Sequence, residues 1–156
     1  LLARAEAFAL TGRYQDALND LNIWTALRAD ATEYVYGKHV LYKDLLLSHY
    51  SADLANEDHF INSRYNASKF TATGDELRFQ KALILAILDA RKLEFLREGI
   101  RHFDILRWFI PVYHATADGQ RSELTPEDDR RVIQLPQVVS LSGVEQNPWS
   151  NVGAWY

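Results

Sequence analysis

The chain has 156 residues, 47% of them hydrophobic, a formal net charge of -4 and no cysteine. That length supports one core and disfavours two independent domains, and a mildly acidic balance with no basic run argues against a nucleic-acid partner. Without cysteine there are no disulfides, thiolate metal sites or cysteine nucleophiles.

The first residues, Leu1-Leu2-Ala3-Arg4-Ala5-Glu6-Ala7-Phe8, read as the interior of a helix and carry neither a start methionine nor a signal-peptide pattern. The expectation is a longer protein in which any targeting signal or lipid-attachment cysteine lies outside this segment. Leu2, Ala5, Phe8 and Ala9 share a helical face, Thr11-Gly12 interrupts it, and Ala17, Leu18, Leu21, Trp24 and Leu27 resume it. Residues 1–29 are therefore predicted to form a helical hairpin. Gly12-Arg13-Tyr14-Gln15-Asp16-Ala17 resembles the turn and second-helix start of a tetratricopeptide (TPR) pair, where glycine permits the tight turn and alanine the close approach of the helices.

Residues 30–74 differ in composition, because Tyr34, Tyr36, Tyr42, Tyr50 and Tyr65 are five of the eight tyrosines of the chain. One helix is predicted from Gly37 to Tyr50, then mostly loop to Thr73. Sugar rings offer apolar C–H faces to aromatic rings and hydroxyls to amides, so Tyr34, Tyr36, Asn62, Tyr65 and Asn66 form the candidate ligand-binding set. Packing is the competing reading, and it is favoured for Tyr42 and Tyr50 within the predicted helix.

Residues 75–110 are predicted to hold the longest helix, capped by Asp75 and running to Gly99, and a shorter one from Ile100 to Phe109 stopped by Pro111. The run Ala82 to Leu88 is the most apolar, but it meets Asp89, Arg91 and Lys92 too soon to span a membrane. Arg91, Glu94, Glu98 and Arg101 recur at helical spacing. Gly99 predicts a kink there, with Arg101, Asp104 and Arg107 folding back on Glu94 and Glu98 as a charge-paired bracket. Residues 111–156 are predicted to be polar loop from Ala115 to Arg130, a short extended piece from Val132 to Leu135, and a tail wrapping the surface.

No catalytic residue is assigned, since carboxylates interleaved with arginines stay ionised whereas a general acid needs a raised pKa. No metal site is assigned either: His39, His49, His59, His102 and His114 include no pair at i, i+4 spacing. Phosphate-cradling glycine loops and nucleophile elbows are absent from the sequence, and no cofactor is predicted.

The stretch from Arg91 to Trp108 resembles the signature of the SusD/RagB family, in which Glu-Leu-x-x-Glu-Gly leads to x-Arg-x-x-Asp-Leu-x-Arg-Trp. Arg91, Glu94, Glu98, Gly99, Arg101, Phe103, Asp104, Arg107 and Trp108 stand at matching positions. Arg4 to Asn22 looks like the family's last TPR-like hairpin, and Arg131 to Gln137 with Gln146-Asn147-Pro148 like its closing segments. The resemblance implies an all-α fold, a TPR-like hairpin packed with further helices and a long irregular tail. It also implies a non-catalytic, lipid-anchored receptor at the outer membrane of Bacteroidetes-type bacteria. Such a receptor binds a nutrient, most often a glycan and in some relatives a peptide, beside a SusC-like TonB-dependent transporter. The competing expectation is an unrelated TPR-type protein-protein adaptor.

Overall fold

The structure is a computed structural model that describes residues 1–28, 40–115, 121–128 and 131. The chain divides into two compact units, residues 1–104 and 105–156, and the division falls within one helix, α7 (Arg101–Arg107).

In the first unit, α1 (Leu2–Leu10) and α2 (Tyr14–Arg28) form the predicted hairpin. Gly12 turns the chain with φ 81, a conformation that a side chain would strain. Leu2, Ala5 and Ala9 of α1 are buried with Ala17, Leu18 and Leu21 of α2 as the spacing called for, but Trp24 is half-buried and Leu27, expected on the same face, is 70% exposed. One buried charge reinforces it: Asp20, 3% exposed, accepts from Arg4 Nε at 2.8 Å and from its Nη2 at 2.7 Å.

The long helix α6 (Gly74–Glu94) is the centre of this unit and packs against α1, α2, α3 (Lys43–His49) and α4 (Ser51–Ala55). Ala82 to Leu88 is buried all round, which is what a helix without a polar face requires. Burying each leucine or isoleucine there contributes about 1.5–3 kcal/mol. The polar exception is Gln80, fully buried, whose amide donates to Ala9 O at 2.9 Å near the end of α1 and so ties the two helices together.

Several expected boundaries shift. Thr73, in extended conformation, occupies the N-cap position expected of Asp75. Asp75 and Glu76 lie instead in the first turn, where the helix dipole favours acids. The helix expected from Gly37 begins at Lys43, because the Asn22 side chain takes both backbone groups of Leu41, donating to its O at 3.2 Å and accepting from its N at 2.7 Å. Residues 51–73, read as mostly loop, are broken into α4, a 3-10 turn (Phe60–Asn62) and α5 (Arg64–Ala67).

In the second unit, β2 (Arg121–Leu124) falls within the segment expected as polar loop and pairs antiparallel with β1 (Val112–Ala115), Val112 opposite Leu124. Trp108 is 1% exposed. Arg131 donates from its guanidinium to the carbonyls of Ile105, Ile110, Leu124 and Thr125, joining α7 and the turn after it to the end of β2. The extended piece predicted at Val132 to Leu135 and the wrapping tail lie outside the described residues.

Candidate functional site

The signature folds as a charge bracket, although not with the pairing expected. In a continuous helix two residues thirteen apart lie about 20 Å apart along the axis, yet Arg91 Nε donates to both Asp104 oxygens at 3.0 Å. A reversal between them is therefore obligatory. It comes at Phe95, four residues before the expected end of the long helix, with positive φ at Arg97 (71) and Gly99 (73). Asp104 is fully buried and Arg91 nearly so. Arg101 Nη1 stands 4.0 Å from Asp104 and donates to Leu88 O at 3.3 Å. The bracket is thus arginine on aspartate, a charge-assisted and bidentate pair.

Glu94 does not face the fold-back. It reaches the hairpin instead, accepting from Trp24 Nε1 at 2.9 Å and from Arg28 Nη2 at 2.6 Å. Glu98 and Arg107 are exposed. The hydrogen bond from the Trp24 indole, followed by that of Arg28, holds the Glu94 carboxyl below its ordinary range, and Arg4 does the same for Asp20. A carboxylate depressed in the folded state stabilises above its unfolded pKa, about 4.3, and that stability is lost as pH falls through the lowered folded value. Urea midpoints measured from pH 6 to pH 3 should therefore decline below about pH 4.3, and Glu94→Gln with Asp20→Asn should flatten that decline.

A cavity of about 500 Å³ opens between the hairpin and the end of α6, walled by Leu1, Leu2, Trp24, Leu27 and Phe95, with the Arg28–Glu94 pair at its edge. Among the described residues there is no group of three or more potential metal ligands, and no helix is long and apolar enough to cross a membrane.

The candidate ligand-binding residues have different fates. Tyr34 and Tyr36 lie outside the described residues. Tyr65 is half-buried, with the Arg64 guanidinium over its ring at 4.9 Å and donating to its hydroxyl at 2.8 Å. Asn66 is fully buried and donates to Phe60 O at 2.8 Å. Asn62 donates to the carbonyls of Asp53, Leu54 and Asn56 and accepts from Lys81 Nζ at 2.9 Å. The structure thus brings Asn62, Tyr65 and Asn66 into one short stretch of chain but turns both amides toward protein. Lys81 was not among the residues singled out from the sequence. The available signal was a polar Gln80-Lys81 pair directly ahead of the apolar run Ala82 to Leu88.

Against known proteins, the sequence profile of the SusD family matches residues 1–139. The chain belongs to the SusD family. No curated protein and no solved structure matches it. As a SusD-family chain it takes the mostly helical fold expected for that family. Members are nutrient-binding proteins, typically of the outer membrane and cell surface, and they are generally non-catalytic. In this member the signature residues Arg91 and Asp104 serve the interior, and Glu94 ties α6 to the hairpin.

Proposed function

We propose that the chain is part of a cell-surface receptor that binds a glycan and delivers it to a SusC-like TonB-dependent transporter, held at the outer membrane by a lipid attached outside these residues. The observation that carries the reading is the family match over residues 1–139. The bracket supports it from the other side: Asp104 is ion-paired with Arg91 and Glu94 with Arg28, and Glu94 is held ionised, the opposite of what a general acid needs. Binding then depends on contact alone, with release driven by different contacts in the free and transporter-closed states.

The tyrosine-rich segment, residues 30–74, supplies the contact chemistry, Tyr34, Tyr36 and Tyr65 offering ring faces to sugar C–H groups. The α1/α2 hairpin, the counterpart of the family's TPR-like helices, is the surface offered to the transporter. The family match favours this receptor over an unrelated adaptor, and a peptide-binding member is the alternative that the test must separate.

Two tests follow. A transporter gene beside the encoding gene is expected, and its absence counts heavily against the receptor. Full-length protein on a glycan array, with calorimetry on the best ligand, is expected to show binding that weakens at least tenfold when Tyr34, Tyr36 and Tyr65 are replaced by alanine, about the effect of losing one or two aromatic contacts. Unchanged affinity would remove the tyrosines from the site. Binding to a peptide pool with an empty glycan array would assign the protein to the peptide-binding members.

A further inference from the structure

Arg4, Arg28 and Arg91 are met by carboxylates, those of Asp20, Glu94 and Asp104, whereas half-buried Lys69 donates to the amide oxygen of Asn66. Lys81 also meets an amide. It is half-buried on α6 between fully buried Gln80 and Ala82, and the polar group that meets its ammonium is the neutral Oδ1 of Asn62, at 2.9 Å. Burial alone lowers its pKa, with no carboxylate among the described residues acting on it. A cation taken partly out of water without a counter-charge is costly unless something compensates it.

The ammonium is also held in place. Asn62 Nδ2 faces the carbonyls of Asp53 at 3.0 Å, Leu54 at 3.4 Å and Asn56 at 2.7 Å. That leaves its oxygen to point at Lys81 and settles which way the amide is turned. The ring of Phe70 lies 5.4 Å from Nζ, a cation–π distance that holds the ammonium from one side. An ammonium has three donors, and Asn62 uses one. The result is a positive charge oriented in advance with hydrogen-bonding capacity to spare, beside the tyrosine-rich segment.

We propose that Lys81 is an anion subsite of the receptor, taking an oxyanion carried by an acidic sugar, with Asn62 as its positioning residue. The inference rests on the receptor reading for the nature of the ligand, and it deepens that reading by naming a charged substrate class. Asn62, expected from the sequence to touch ligand, acts here through the lysine.

The test uses full-length protein with dimethylated lysines, following the Lys81 methyl signal by NMR after assignment with Lys81→Arg. Oligogalacturonate, oligogalactose and inorganic sulfate are titrated separately. The Lys81 signal is expected to move and saturate with oligogalacturonate, and to stay in place with oligogalactose. Calorimetry on unmethylated Lys81→Met should show at least a tenfold loss for the acidic oligosaccharide, in line with a charge-assisted hydrogen bond. Lys81→Gln gives a second reading should the first variant melt early.

A signal that ignores oligogalacturonate, or moves equally with the neutral chain, overturns the anion subsite. Movement with sulfate alone overturns the acidic sugar as its ligand. Neutral glycans bound on the array with a silent Lys81 defeat the subsite and leave the receptor standing. A Lys81 response to galacturonate together with an absent transporter gene does the reverse.

Discussion

Replacing Asp104 by alanine is expected to destabilise the helical unit by about 3–5 kcal/mol, the cost of leaving a buried charge without its partner. Arg91 is 9% exposed and loses two hydrogen bonds of 3.0 Å from Nε and the contact of 2.9 Å from Nη2. The Phe95 ring, 5.0 Å from the Arg91 guanidinium, replaces little of the lost charge. Arg101, 4.0 Å from the same carboxylate, loses one of its counter-charges as well, keeping Asp89. Asp104→Asn should fall almost as far, since shape is kept and charge is not. Arg91→Met combined with Asp104→Leu should recover most of the loss, because a buried pair replaced by apolar groups of similar volume is often neutral. Urea unfolding followed by helical circular dichroism measures all three, and a cost below about 1 kcal/mol for Asp104→Ala, typical of exposed pairs, would show that the bracket is not the buried pair described.

Arg131→Met should be the second most damaging change, by about 3 kcal/mol or more within the unit of residues 105–156. The guanidinium serves four main-chain carbonyls, among them Ile105 O at 3.0 Å, Ile110 O at 2.6 Å and Leu124 O at 3.0 Å. Each buried carbonyl left without a donor costs about 1–3 kcal/mol. Arg131→Lys should rescue little, since one ammonium cannot reproduce a planar fork that spans the turn after α7 and the end of β2. Amide exchange locates the effect: protection is expected to fall across β1 and β2 and to persist in α6. Loss confined to α6 would contradict the assignment.

The residues differ in how far their roles could be read in advance. The hairpin was legible because Leu2, Ala5, Ala9, Ala17, Leu18 and Leu21 keep helical spacing on either side of a glycine turn, and that pattern is a local property. The bracket was legible in kind but not in pairing. Spacing shows that charges alternate from Arg91 to Asp104, but which carboxylate meets which arginine depends on where the chain reverses, and Glu94 finds its partners 66 and 70 residues upstream. The short helices at 51–67 escaped because each has only a few residues, too short for periodicity, and Asn56, His59 and Ser63 between them read as loop.

Asn62 and Asn66 were chosen for chemistry that suits a sugar, and the same chemistry suits a backbone carbonyl. Only their position distinguishes the two uses. Arg131 was noticed as the start of a closing segment, but its service to four carbonyls is a tertiary fact. Gln80 and Lys81 were passed over because the run that follows them dominates the reading of α6.

A side-by-side binding measurement tests most directly the claim that the signature holds the scaffold while the tyrosine-rich segment holds the nutrient. Full-length protein carrying Arg91→Met and Asp104→Leu is compared by calorimetry, on one array-identified glycan, with protein carrying Tyr34→Ala, Tyr36→Ala and Tyr65→Ala. The account predicts unchanged affinity for the first and a loss of at least tenfold for the second, both remaining folded. Loss of binding in a folded bracket variant, with affinity intact in the tyrosine variant, would contradict it.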